Sequence, residues 1–240
     1  QFSALVSFDD GSGPKLYASG SSLVAFDRGF ARWNGSQWTI LSNTEGTDLV
    51  VFDGGGGVGP AIHGVSSGSV RYWTGSAWTS LGTIANVECL AVHDDGSGAG
   101  PRLYAGLNGN GSQFEHSRTV TWTGTSWVEV ANGGPGSGRV TTLCTFDDGS
   151  GAGPTLWAGG DFNPIDGCNA QGVARWDGLR WSSTGGPGLT IRLSALEVFD
   201  DGSGAGPTLY AGAQYSGGGS FTEPGVASQN SVGRWDGTRW

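Results

Sequence analysis

Trp176-Asp177-Gly178-Leu179-Arg180-Trp181 places two tryptophans five positions apart, with a glycine two places after the first. The same device returns as Trp33-Asn-Gly-Ser-Gln-Trp38, Trp73-Thr-Gly-Ser-Ala-Trp78, Trp122-Thr-Gly-Thr-Ser-Trp127 and Trp235-Asp-Gly-Thr-Arg-Trp240, which takes up all but one of the 11 Trp. Upstream of each pair stands a second recurring block. In its last copy it reads Ala195-Leu-Glu-Val-Phe-Asp-Asp201, then Gly202-Ser-Gly-Ala-Gly-Pro207, then Thr208-Leu-Tyr-Ala-Gly212. The second copy is degenerate, with Asp53-Gly-Gly-Gly-Gly-Val-Gly-Pro60 followed by Ala61-Ile-His-Gly64.

Each repeat therefore offers four short β-type segments bounded by turn residues, here named A to D. The Asp-Asp-Gly-Ser-Gly-Ala-Gly-Pro bridge joins A to B, and an Asn-Gly, Asp-Gly or Thr-Gly turn joins C to D. One unit is thus a four-stranded antiparallel meander. The bridge prolines at positions 14, 60, 101, 154 and 207 are 46, 41, 53 and 53 residues apart, close to the period of propeller blades. A sheet of this size cannot bury both faces alone, so the units must stack on one another. The sequence predicts an all-β protein, a β-propeller of four-stranded antiparallel blades with five blades at about 1–41, 42–82, 83–133, 134–186 and 187–240 of a single domain.

Composition agrees. The 240 residues include 47 Gly, and glycine at that density disfavours helix. The aromatic content, with 11 Trp, 10 Phe and 5 Tyr, is far above that of a disordered chain. A formal charge of −9 argues against nucleic-acid or anionic-membrane partners. No run of 18 apolar residues and no charged-then-apolar leader is present, so neither a membrane span nor a retained signal peptide is expected. Three cysteines, Cys89, Cys144 and Cys168, allow one bridge at most. Buried thiols are the expectation and a single disulfide is the alternative.

The stretch Leu156-Trp-Ala-Gly-Gly-Asp-Phe162 followed by Gly172-Val-Ala-Arg-Trp-Asp-Gly-Leu-Arg-Trp181 resembles the Kelch-like repeats of secreted bacterial β-propeller proteins. It is also similar to the propeller repeats of a fungal cortical polarity marker. The resemblance covers essentially the whole chain and implies the propeller architecture, not a ligand. Kelch propellers place a Gly-Gly after the second strand. Gly159-Gly160 keeps it, while Ser19-Gly20, Gly106-Leu107 and Gly212-Ala213 match only in part.

Residues that recur in every blade are read as packing or turn chemistry. The Trp pairs are expected to wedge one blade against the next rather than form a ligand-stacking ladder. Arg32, Arg71, Arg175 and Arg234, at or near the position before the first Trp, are expected to stack on a ring or bond a carbonyl. The tandem acids raise a chemical alternative, because Asp-rich loops can bind Ca²⁺. The candidates are Asp94, Asp95, Asp147, Asp148, Asp200 and Asp201, with Asp9-Asp10 in the first copy. The downstream acid of known calcium loops is missing, and the structural reading is that each Asp caps its own turn. No cofactor is expected. His63, His93 and His116 fall in different parts of different units, and His93 replaces the Phe that ends segment A elsewhere. No nucleophile elbow, zinc-protease helix or phosphate loop occurs, so an enzyme is not expected.

In such a meander the A–B and C–D turns leave on one rim and the B–C and D–A connections on the other. The first rim is monotonous. From the bridge Pro to the first Trp the distances are 19, 13, 21, 22 and 28 residues, so the B–C loops are individual. Loops on a rigid scaffold carry recognition. Candidate binding residues for a protein or glycan are Phe114, Glu115 and His116 within Asn108–Ser117, then Asp161, Phe162, Asn163 and Asp166 within Asp161–Gln171, then Tyr215, Phe221 and Glu223 within Gln214–Asn230. The leading expectation is a non-enzymatic propeller outside the cell, at its surface or in a periplasm, serving as a structural or protein-interaction module. A lectin-like propeller with its site on the B–C rim is the alternative. A lectin with repeated sites would repeat its loop residues, and these loops do not repeat. Most units run several residues past the second Trp, as in Trp78-Thr-Ser-Leu81, so the polypeptide is expected to extend further. A larger ring would then also fit, and unpaired edges would favour a larger assembly.

Overall fold

The computed structural model describes residues 2–24, 26–44, 46–54, 59–109, 119–130, 138–162, 172–184, 192–202, 204, 206–214, 232–238 and 240. These form five antiparallel meanders, the blades of a five-bladed β-propeller, with no helix among the described residues. Blade one holds β1 (Phe2–Asp9), β2 (Pro14–Val24), β3 (Phe26–Trp33) and β4 (Trp38–Ser42). Blade two holds β5 (Leu49–Asp53), β6 (Pro60–Ser66), β7 (Ser69–Trp73) and β8 (Trp78–Ser80). Blade three holds β9 (Val87–His93), β10 (Arg102–Leu107), β11 (Thr119–Trp122) and β12 (Trp127–Glu129). Blade four holds β13 (Gly138–Phe146), β14 (Thr155–Phe162), β15 (Val173–Trp176) and β16 (Trp181–Ser183). Blade five holds β17 (Arg192–Phe199), β18 (Thr208–Gln214) and β19 (Val232–Arg234), and Trp240 stands where the other blades begin their fourth strand.

The tryptophan device is a hairpin. In four blades the two Trp are direct cross-strand partners, and in all five their ring centroids lie 5.4–5.6 Å apart. The glycine between them is required by its backbone, with φ of +102° at Gly35 and +93° at Gly178. The residue before that glycine closes the turn with its side chain. Asn34 Oδ1 accepts from the amides of Ser36 and Gln37, and Asp177 Oδ1 from those of Leu179 and Arg180, all at 2.8–2.9 Å.

In blades two to five the Trp pair then faces the preceding blade. Trp73 and Trp78 close on Tyr17 and Phe30 of blade one, and Phe30 meets the Trp78 ring edge-on at 4.8 Å. Trp122 and Trp127 pack into the cluster of Phe52, Val65 and Val70, and the Trp127 indole N–H donates to Leu81 O at 2.8 Å. Trp176 and Trp181 join Cys89, Ala91 and Tyr104 of blade three. Trp235 packs with Phe146 and Trp157 of blade four, and Trp240 donates to Thr184 Oγ1 at 3.3 Å. Core is therefore made between blades, as a stacked-repeat fold requires. These rings are buried, which leaves a ligand-stacking ladder without exposed faces at Trp73, Trp122, Trp127, Trp176, Trp181 and Trp235.

Candidate functional site

The tandem acids occupy the A–B turns, and their carboxylates are engaged by their own bridges. The first acid accepts the amide two residues on: Gly11 N to Asp9, Gly96 N to Asp94, Gly149 N to Asp147 and Gly202 N to Asp200, at 2.8–3.0 Å. The second acid does the same, with Ser12 N on Asp10, Ser97 N on Asp95 and Ser150 N on Asp148 at 3.0–3.1 Å. Its remaining oxygen ties the bridge to the sheet. Arg32 Nη1 reaches Asp10 at 2.8 Å and Arg175 Nη1 reaches Asp148 at 2.7 Å. These arginines thus meet carboxylates, rather than the ring or carbonyl expected from sequence. Asp10 is held well below the usual carboxylate range, chiefly by the Ser12 hydroxyl. Burial opposes ionisation of Asp148, but hydrogen bonds from Ser150 and the Arg175 guanidinium outweigh it and lower its pKa. Among the described residues no group of three or more His, Cys, Asp or Glu is arranged to hold a metal ion.

Two clefts open on this same rim, between successive blades. One of about 530 Å³ lies between blades three and four, where His93, Asp94 and Asp95 face Thr145, Pro154 and Asp177. The other, of about 730 Å³, lies between blades four and five, where Asp147 and Asp148 face Pro207, Arg234 and Asp236. They are equivalent places in the repeat. Each is walled by the acid bridge of one blade and the C–D turn of the next, so neither is visible in a single repeat.

The loop rim is described in part. Asp161, one residue before the end of β14, lies opposite Arg139 of β13. Arg139 Nη2 meets Glu88 Oε1 at 2.8 Å, and Asn108 Nδ2 donates to the same oxygen at 3.0 Å, which joins blades three and four. A bridge between the backbones of Asn108 and Arg139 completes the contact. Within blade four, Gly160 lets β14 run close against β13 here, since a Cβ there would lie 2.0 Å from Arg139 O. Phe162 points inward, 5% exposed, in the core cluster with Val140, Leu156 and Trp181. The other sequence candidates, Phe114, Glu115, His116, Asn163, Asp166, Tyr215, Phe221 and Glu223, lie outside the described residues, as does Cys168.

Sequence reasoning passed over Glu88, Arg139 and Asp48, and named Asn108 only as the start of a candidate loop. That acid stands immediately before the first leucine of segment A, where the other blades carry Ala4, Cys89, Thr142 and Ala195. It is half-buried, and its carboxylate accepts from Leu90 N of blade three at 2.7 Å and from Leu49 N at 2.8 Å. Burial raises its pKa against the pull of those two amides. Thr142 makes the equivalent bond two interfaces later, between blades four and five, accepting from Leu196 N at 3.1 Å. The signal in the sequence was a lone acid in an otherwise small-residue position.

His93 fulfils the aromatic role expected of it. It is 2% exposed, lies 5.7 Å from the Tyr104 ring, and burial lowers its pKa. His63 is likewise buried, with its pKa lowered by burial. Cys89 and Cys144 are free thiols.

No protein-family model matches the chain, and no curated protein shows significant similarity to it.

Proposed function

We propose that this chain is a non-enzymatic β-propeller displayed outside the cell or on its surface, acting as a protein-interaction module through its B–C loop rim. A propeller fold suits such a role, because a rigid scaffold of stacked blades holds loops of independent length and sequence. One observation carries the reading: the chemistry that repeats is consumed inside the fold. The Trp pairs fill interfaces between blades, and the tandem acids bond their own backbone amides and arginines. What differs from blade to blade is left for recognition, and the B–C loops differ most. The likeness of the repeats to those of secreted bacterial propellers supports the location.

Cross-linking mass spectrometry on the native cell surface tests this. Partner cross-links concentrated in residues 108–117, 161–171 and 214–230, and lost when those loops are replaced by Gly-Ser linkers, support the reading. Cross-links confined to the acid bridges overturn it. Reproducible binding of one glycan class on an array, abolished by the same loop replacements, assigns the rim to a lectin instead.

A further inference from the structure

The five blades are equivalent in sequence but not in burial. Strand register aligns Leu5 with Leu49, Leu90, Leu143 and Leu196, each paired with the small residue of segment B. The last four are 3–8% exposed, whereas Leu5 is 52% exposed. Register likewise aligns Leu16 with Ile62, Leu103, Leu156 and Leu209. Those four are 0% exposed and Leu16 is 39% exposed. These positions form the face that each blade turns toward its predecessor. In blade one that face is uncovered, and Trp33 and Trp38 on it are only half-buried.

Blade five shows the converse. Its opposite face carries Phe199, Tyr210 and Val232. In the other blades those positions hold residues such as Phe52, His93 and Phe146, then Tyr17, His63, Tyr104 and Trp157, then Phe30, Thr119 and Val173, all 6% exposed or less, with Phe8 of blade one half-buried. Phe199 is 58% and Val232 61% exposed. The four core clusters join blades one to two, two to three, three to four and four to five. Among the described residues no core cluster joins blade five to blade one.

We propose that the chain self-associates head to tail, the Leu5–Leu16–Trp33 face of one copy packing on the Phe199–Tyr210–Val232 face of a second. The occupant is specified by the interfaces already built. Tyr17 and Phe30 pack on Leu49, Ile62 and Trp73, and Phe146, Trp157 and Val173 pack on Leu196, Leu209 and Trp235. The two uncovered faces are the two halves of that same pattern, and both stand open in one chain. Exposed apolar surface of this kind marks an association site. A heterologous contact closes into a ring or propagates, according to its rotation. This inference goes beyond the proposed function, since it concerns the seam and not the loop rim.

Light scattering coupled to size exclusion tests it. The 240-residue chain is expected at two or more times 24.5 kDa, with mass falling on dilution. Leu5→Asp and Val232→Asp each remove one face at an exposed position, so both are expected to stay folded by circular dichroism and to run as monomers. Mixed together, they are expected to form a one-to-one dimer, because each keeps the face the other has lost. A wild-type chain that is monomeric throughout, or a mixture that stays monomeric, overturns the proposal. So does a double variant, Leu5→Cys with Val232→Cys, that oxidises wholly within one chain, which would mean the ring closes on itself. None of these outcomes depends on whether the B–C loops bind a partner.

Discussion

Truncating Leu209 and Leu16 to Ala compares one repeat position in two surroundings. Leu209 is 0% exposed, between blades four and five, and Leu16 is 39% exposed on the open face of blade one. Removing a fully buried leucine loses its transfer free energy and leaves a cavity, about 2–5 kcal/mol in all. At Leu16 solvent already borders the side chain, so no cavity remains and the loss is a part of the burial term alone, about 1 kcal/mol. For a chain of this size each kcal/mol shifts the melting temperature by roughly 2–4 °C, so Leu209→Ala should lower it by about 4–20 °C and Leu16→Ala by about 2–4 °C. The assay is thermal and urea unfolding at a dilution where the chain is monomeric. Equal losses at the two positions would refute the reasoning, because they would require blade one to be covered within its own chain. At higher concentration the Leu16→Ala penalty should grow, as the second copy buries that face.

Three further predictions follow from the polar groups. Burial raises the Asp48 carboxyl above its ordinary value of 3.8. The folded chain therefore keeps a proton that the unfolded chain has released, so this group's contribution is fully present below that value and is lost as pH rises through the raised native pKa. Asp48→Asn should flatten the stability profile over that window, and an unchanged slope in urea midpoints against pH would count against it. Asp147→Asn should melt close to wild type with and without Ca²⁺, since an amide oxygen still accepts from Gly149 N, whereas Asp147→Ala should lose about 0.5–1.5 kcal/mol for the missing hydrogen bond. A Ca²⁺-dependent melt abolished by Asp147→Asn would point to metal ligation instead. Burial pushes the Cys89 thiol up and carries Cys144 to about 12, so peptide mapping after alkylation should find both labelled only once the chain is unfolded. Rapid labelling of either in the native protein would contradict that burial.

Local chemistry is legible in the amino-acid sequence. A Trp-turn-Trp hairpin is decided within six residues, because a glycine at positive φ and a capping side chain close it without outside help, as at Asn34-Gly35 and Asp177-Gly178. The acid bridges are equally local, each carboxylate reaching an amide two residues away. Glu88, Asn108 and Arg139 are not legible in this way, since a contact between residues 51 positions apart exists only when blade four stacks on blade three. Phe162 illustrates the same limit. Its sequence neighbourhood marks it as a loop-rim aromatic, but β14 runs on to Phe162, and its alternation puts that ring on the face of Leu156, in the core cluster with Trp181.

The repeat, the antiparallel meander of each blade, the apolar wedge between neighbours and the rim on which loops vary are written in the amino-acid order, because each follows from turn chemistry and from a sheet face too apolar to leave in water. Which copies of that face are covered depends on how the blades stack. Leu16 and Leu209 occupy the same place in their repeats, and what separates them is whether another blade lies against them. Burial is a property of neighbours in space, so repeats that read alike become unequal where one of them has no blade packed against it.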